Sequence, residues 1–226
     1  MLTIPGICWL CRMPLARSGW GVCSRCARSL KLPPHCPQCG LPAAHGRLPC
    51  GRCLQKPPPW QRLVYISDYA APLSSLVHKL KFQRQTTLAA ALARLLLLNV
   101  LQERRTAGLP PADRIISVPL HRRRAWRRGY NQSDLLARCL ARWLGCQYEA
   151  RAVSRVRATA IQHHLSARLR RRNLKNAFRL ELPVKGLHIV IVDDVVTTGS
   201  TVAQIARLLL QHGAATVQVW CLCRTL

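Results

Sequence analysis

The chain has 226 residues, 49% of them hydrophobic, and a formal charge of +27 from 35 basic and 8 acidic residues. That length accommodates one good-sized domain plus a small one, with enough apolar material for a core. The charge says nothing about fold but directs attention to anionic partners, nucleic acid first. The greasiest stretch, Leu88 to Leu101, is interrupted by Arg94 and Asn99 and is too short to span a bilayer, which excludes a membrane-spanning helix there.

At the amino terminus, Met1-Leu-Thr-Ile-Pro-Gly-Ile-Cys8 lacks the charged start and long apolar run of a signal peptide, so a cytoplasmic protein is expected. Eight of the twelve cysteines then form four Cys-x-x-Cys pairs: Cys8/Cys11, Cys23/Cys26, Cys36/Cys39 and Cys50/Cys53. Gaps of eleven and ten residues inside the two halves give a tandem repeat of one small unit. Each unit supplies four thiolates at the spacing that closes a tetrahedral Zn²⁺ site, and its short apolar stretches need such a staple. Two structural zinc sites are expected, the simplest pairing being the first four cysteines and the last four; a cross-braced pairing stays open. A redox dithiol and disulfides are the alternatives, opposed by the number of pairs and by a cytosolic location. With eight thiolates and two Zn²⁺ the charge would still be about +23. Gly40 suits the knuckle after Cys39, whereas Arg12 stands at the matching place after Cys11, predicting a looser first knuckle. His35 and His45 read as surface residues, and Cys139, Cys146, Cys221 and Cys223 as core fillers. Lys56-Pro-Pro-Pro-Trp60 reads as a stiff linker, dividing the chain into 1–58 and 59–226.

Beyond the linker, strands are predicted over 62–69, 114–118, 147–153, the run ending at Asp193, and 216–222. Helices are predicted over 72–82, 87–102, 131–144 and 163–173. Such alternation gives an α/β fold with a parallel-centred sheet, whose ligands sit beyond the carboxyl ends of the strands. Five arginines in seven positions (Arg122, Arg123, Arg124, Arg127, Arg128) precede Gly129-Tyr130-Asn131-Gln132. They are candidates to neutralise pyrophosphate or to track a nucleic-acid backbone. Tyr130 is a candidate to stack on a base and Asn131 or Gln132 to hydrogen-bond one; packing under the loop and capping of the next helix are the structural alternatives. Arg168, Arg170, Arg171, Arg172 and Lys175 form a second basic cluster.

The densest chemistry lies in Ile189-Val-Ile-Val-Asp193-Asp194-Val-Val-Thr197-Thr198-Gly199-Ser200-Thr201. Four β-branched residues predict a strand buried on both faces and ended by the two acids. Next comes a hydroxyl-rich loop with Gly199 free to take positive φ, then a helix opened by a Thr201/Gln204 capping box. Acid pair, loop and helix N-terminus make a site for an anionic phosphate. The plain alternative is an ordinary strand-to-helix turn with a solvated acid pair.

This stretch resembles the PRPP-binding motif of type I phosphoribosyltransferases. The resemblance implies that Thr197, Thr198, Gly199, Ser200 and Thr201 hold the 5′-phosphate, while Asp193 and Asp194 face the ribose hydroxyls as the catalytic pair. Together with Arg127-Arg128-Gly129-Tyr130-Asn131-Gln132, the segment from Thr159 to Phe178 and the cysteine pairs, the chain resembles the ComF/GntX family, in which zinc-binding segments precede a phosphoribosyltransferase-like domain. The family implies handling of imported single-stranded DNA, a bound PRPP or nucleotide, and DNA-uptake or recombination proteins as partners. An active phosphoribosyltransferase using PRPP and Mg²⁺, and a zinc-ribbon adaptor with a vestigial site, are the other readings.

Overall fold

In the computed structural model the described residues are 6–30, 32–44, 46–120, 128–156 and 177–225. The predicted helix over 163–173, the second basic cluster, His45 and Arg122, Arg123, Arg124 and Arg127 lie outside them.

Two short helices, α1 (Ser24–Ser29) and α2 (Gly51–Gln55), each follow the second cysteine pair's first residue in their unit. The body then runs β1 (Arg62–Val64), β2 (Ser67–Asp68), α3 (Leu73–Phe82), α4 (Leu88–Ala107), β3 (Arg114–Ser117), α5 (Gln132–Leu144) and β4 (Gln147–Glu149). It continues with β5 (Val153–Arg155), β6 (Phe178–Leu180), β7 (His188–Val196), α6 (Ser200–Gln211) and β8 (Thr216–Arg224). A six-stranded sheet is ordered β1-β8-β7-β3-β4, with β2 also beside β8, and every pairing in it is parallel. β5 and β6 form a separate antiparallel pair.

The alternation of buried residues along β7 and β8 builds two layers. Val190, Val192, Trp220 and Leu222 face a core shared with α3, α4 and α5. Ile189, Ile191, Val217, Val219 and Cys221 face the core shared with α6. Burial on both faces explains the unbroken β-branched run in the sequence. Helix ends follow local chemistry: α4 stops at Gly108 and α5 at Gly145, both left-handed.

Three element boundaries differ from expectation. The strand predicted over 62–69 is divided into β1 and β2, which keep one register along β8, Val64 opposite Trp220 and Ser67 opposite Cys223. The strand predicted over 147–153 is two strands in different sheets, β4 and β5. α4 runs past 102 to Ala107, where Glu103 pairs with Arg62 of β1.

The two cysteine units lean on the body at different places. Cys8, Leu15, Val22 and Leu30 join the α3/α4 core. Gly21 approaches α4 so closely that a β-carbon there would lie 2.3 Å from that of Ala91. The Arg94 guanidinium sits 4.4 Å from the Trp20 ring centre. The second unit docks on β1, with the Leu63 amide donating to Pro37 O at 2.9 Å.

Gly21 also holds a φ of 66°, so Gly21→Ala combines a clash with a disfavoured backbone and should destabilise the chain by about 2–3 kcal/mol. Gly19→Ala, with nothing within 4 Å, should stay within about 0.5 kcal/mol of the parent. Urea titration of both variants measures the contrast; equal midpoints would show that the first cysteine unit is not seated on α4.

Candidate phosphate site and metal centres

β7 carries both acids inside the strand rather than at its end, pairing on to Val196 opposite Arg224. The strand outlasts the acids because β8 extends equally far and supplies partners. Asp193 Oδ1 accepts from Ser133 Oγ at 3.1 Å and from the Asp194 amide at 2.9 Å. Asp194 is buried and pairs with Lys81 Nζ of α3 at 3.1 Å. Burial, and then the neighbouring Asp194 carboxylate, push Asp193 from its ordinary 3.8 up to about 7.

Thr197 and Thr198 are exposed beyond the strand. Gly199 has φ 73° and is the N-cap of α6, which begins at Ser200. The Thr201/Gln204 capping box is therefore absent: the positive φ at Gly199 starts the helix earlier, and no side chain caps it. Thr198 Oγ1 lies 2.7 Å from Ser200 Oγ and 3.4 Å from the Ser200 amide. The Ser200 amide leans on Thr198 Oγ1, and, with no side chain on the N-cap, the later first-turn amides are the ones open to an anion.

The loop is fixed from behind. Arg224, at the end of β8 and buried, donates from Nε to Cys39 O at 2.9 Å and from Nη1 to Val196 O at 3.1 Å. The same Nη1 reaches the carbonyls of Thr197 and Thr225. In a trans peptide, C=O and the following N–H point oppositely. Carbonyls held toward Arg224 thus turn the Thr197 and Thr198 amides the other way. Trp60 closes the opposite flank: a β-carbon on Gly199 would lie 3.2 Å from its ring, and its Nε1 donates to Gln38 O at 2.7 Å.

Gln38 and Cys39 belong to a metal-ligating group. The thiols of Cys8, Cys11, Cys23 and Cys26 lie within 4.8 Å of one another, as do those of Cys36, Cys39, Cys50 and Cys53. The pairing is the simple one, first four and last four. Cys11 and Cys23 sulfurs are 3.7 Å apart, as are Cys39 and Cys50; four sulfurs at about 2.3 Å from one Zn²⁺ stand about 3.8 Å apart. Both groups therefore fit a tetrahedral metal. Their knuckles repeat each other: Cys8 N bonds Met13 O and Arg12 N bonds Cys8 O, while Cys36 N bonds Leu41 O and Gly40 N bonds Cys36 O. Arg12 takes the glycine conformation, φ 63° beside 73° at Gly40, so the first knuckle is shaped like the second rather than looser. Burial raises Cys8, but amides of Cys11, Cys23 and Leu10 outweigh it and bring the thiol down to about 6. At Cys36 burial likewise yields to the amides of Cys50, Cys39 and Gln38, giving about 7. These two thiols approach the thiolate form, whereas burial and neighbouring thiols push Cys26 up to about 12 and raise Cys39 and Cys53, so the rest of each group would lose its protons only to a bound metal. His35 stays out of the group, its ring 5.0 Å from that of Tyr65.

The phosphoribosyl transferase domain family matches residues 133–226. Among solved structures, adenine phosphoribosyltransferase from Saccharomyces cerevisiae is 18% identical, with a TM-score of 0.38 over 60% of this chain and 69% of that one. The DNA utilization protein YhgH of Salmonella typhi is 73% identical over 227 residues, spanning 100% of both chains. Competence protein F of Haemophilus influenzae is 44% identical over 222 residues, 96% of each chain. The chain belongs to the ComF/GntX family.

Of the residues that carried the ComF/GntX resemblance around 128–132, the structure gives two of them structural partners. Asn131 caps α5, accepting from the Ser133 amide at 3.1 Å, and its Nδ2 donates to Val118 O at 3.0 Å. Tyr130 Oη donates to the Leu80 carbonyl. Arg128 lies over the Phe82 ring, 5.1 Å from its centre. Sequence reasoning missed Lys81, Ser133, Trp60 and Arg224. Each reaches the site across a long stretch of chain, and only the strand register opposite Val196 marks Arg224.

Asp193 binds an extra proton on folding between about pH 4 and 7, so its contribution to stability falls as pH rises through that window. Asp193→Asn should match the parent near pH 4.5 and exceed it at pH 8 by on the order of 1–2 kcal/mol, read by thermal unfolding across pH. A deficit at pH 8 would mean that Lys81 holds the carboxylate ionised. Arg224→Lys keeps charge but loses the fork; about 2 kcal/mol of stability should go, with faster amide exchange at both 36–40 and 197–201. Exchange rising in one segment alone would show that Arg224 does not join them.

Proposed function

We propose that the protein handles single-stranded DNA on a phosphoribosyltransferase scaffold, with PRPP or a related nucleotide phosphosugar bound at the loop after β7. The observation that carries the phosphosugar reading is the uncapped start of α6, its loop amides turned outward by Arg224 and the acid pair standing alongside. Thr197 to Thr201 take the 5′-phosphate, and Asp193 and Asp194 take the ribose hydroxyls. The DNA reading is supported by the charge of +27, by Arg128 with the arginines before it, and by relatives named for DNA utilization and competence. Zinc is the metal we assign to both cysteine groups, as a structural ion, and Mg²⁺ would accompany PRPP. Among the described residues no helix is long and apolar enough to cross a membrane, and we place the protein in the cytoplasm. DNA-uptake or recombination proteins are the partners this role calls for.

Turnover is a second reading, favoured by Asp193. An acid held near neutrality can give up its proton when the ribose hydroxyls arrive, and charge stabilisation with positioning does most of the work in such chemistry. Lys81 neutralises Asp194 until then.

Calorimetric titration with PRPP, with and without Mg²⁺, tests the phosphosugar site. Binding below pH 7 should release protons from Asp193, and Asp193→Asn/Asp194→Asn should weaken affinity at least about tenfold. In parallel, affinity for single-stranded oligonucleotide should fall linearly on a log–log salt plot. An absent PRPP signal removes the sugar-phosphate half, and a salt-independent or absent oligonucleotide signal removes the DNA half.

A further inference from the structure

The last turn of α3 carries an aromatic ring that its helix does not bury. Leu73, Leu76, Val77 and Leu80 of α3 all point into the core, while Phe82 keeps 61% of its surface open. Its surroundings are cationic rather than apolar. Arg128 stands over the ring at 5.1 Å from the centre, and the His78 ring lies 4.8 Å away at 44°. Lys79 and Lys81 occupy the same turn. Arg84, just past the helix, holds a φ of 54°, a conformation disfavoured for any residue with a β-carbon and usually given to glycine. A long cationic side chain kept in that conformation points to a use for it.

Of these cations only Lys81 has an acidic partner among the described residues. Among the described residues the ion pairs are Arg62–Glu103, Lys81–Asp194, Arg138–Asp134 and Arg179–Glu181. Arg84 and Arg128 are in none of them. Both lie near enough to Tyr130 to oppose the rise that burial gives its phenol. Tyr130 is itself tied to the Leu80 carbonyl, so this cluster has a fixed floor. Starting from Asp194, the chain therefore sets out a cation (Lys81), an open ring (Phe82) and two unpaired guanidiniums (Arg84, Arg128).

We infer that Phe82, flanked by Arg128 and Arg84, is a stacking platform for a base of single-stranded DNA, with the guanidiniums on the adjoining phosphates. The inference rests on the DNA-handling reading above and gives it a location next in the chain to Lys81, the partner of Asp194. An exposed π-face accepts any unpaired base, and the neighbouring positive charge tracks the backbone. Duplex DNA keeps its base faces stacked inside, so the ring selects single strands. A protein partner would bury Phe82 among apolar neighbours, and here its neighbours are charged.

The test uses the full chain with its metal and a fluorescent oligothymidylate of about 20 nucleotides, long enough to fill a typical single-strand site. Anisotropy is read over a salt series. Phe82→Ala should weaken binding roughly 5- to 30-fold with the salt slope unchanged, because stacking releases no counterions. Phe82→Trp should restore affinity to within about twofold, since indole stacks as well. Arg128→Gln should instead lower the slope by about 0.7. An abasic strand of equal length should bind the parent and Phe82→Ala alike. Unchanged unfolding temperature for Phe82→Ala, expected of so exposed a ring, separates lost contact from lost fold. Should Phe82→Ala hold oligothymidylate like the parent with its salt dependence intact, or weaken duplex binding equally, the platform is overturned and the DNA reading survives. Should the parent fail to bind at low salt, both fall.

Discussion

Arg224 has its guanidinium buried at the end of the last strand, with no acidic side chain paired to it among the described residues and carbonyls of Cys39, Val196, Thr197 and Thr225 around it. A buried cation is tolerated only where its donors are matched, and here the acceptors come from two places far apart in sequence. One is the knuckle of the second cysteine group, the other the loop that follows the acid pair. The five-donor fork of arginine suits this task, because several donors leave one rigid plane in fixed directions. Tyr65 Oη bonds Gly40 O at 2.8 Å and Trp60 Nε1 bonds Gln38 O, so the knuckle is gripped at successive residues. Gly40 differs from Arg12, which holds a similar φ at the first knuckle, in its surroundings: a β-carbon there would lie 3.0 Å from both Leu63 and Tyr65.

The consequence is a hydroxyl-rich loop with a group of four cysteines behind it. A loop of threonines and a glycine has little packing of its own, and preorganisation must come from its surroundings. Trp60 against Gly199 and Arg224 against Val196 and Thr197 supply it. The first cysteine group stands elsewhere, on α4, and shares the apolar core of that layer. Tandem units of one design thus do different mechanical jobs: the first extends a hydrophobic core, and the second braces a ligand loop.

On its other side the site is defined by charge. Asp193 and Asp194 are adjacent, and burying both as anions is unfavourable, which is why one rises toward neutrality and the other takes Lys81. The fold thus keeps an unfavourable pair of neighbouring acids in β7, met by one cation, Lys81.

The sequence by itself determined the sheet and the chemistry of its rim. Ile189 to Val192 read as a strand buried on both faces, Gly199 as free to take positive φ, and the four cysteine pairs as two candidate metal sites, because each reading follows from local sterics or ligand spacing. It also held the cap at Asn131, which a short side chain before an apolar helix makes on its own. Register and layer packing were decided only in three dimensions. Whether Lys81 meets Asp194, whether Arg224 stands opposite Val196, and whether Arg128 lies over the Phe82 ring depend on how strands align and helices rotate against the sheet. Those outcomes are fixed by contacts between residues tens of positions apart, for which the spacing along the chain holds no signal.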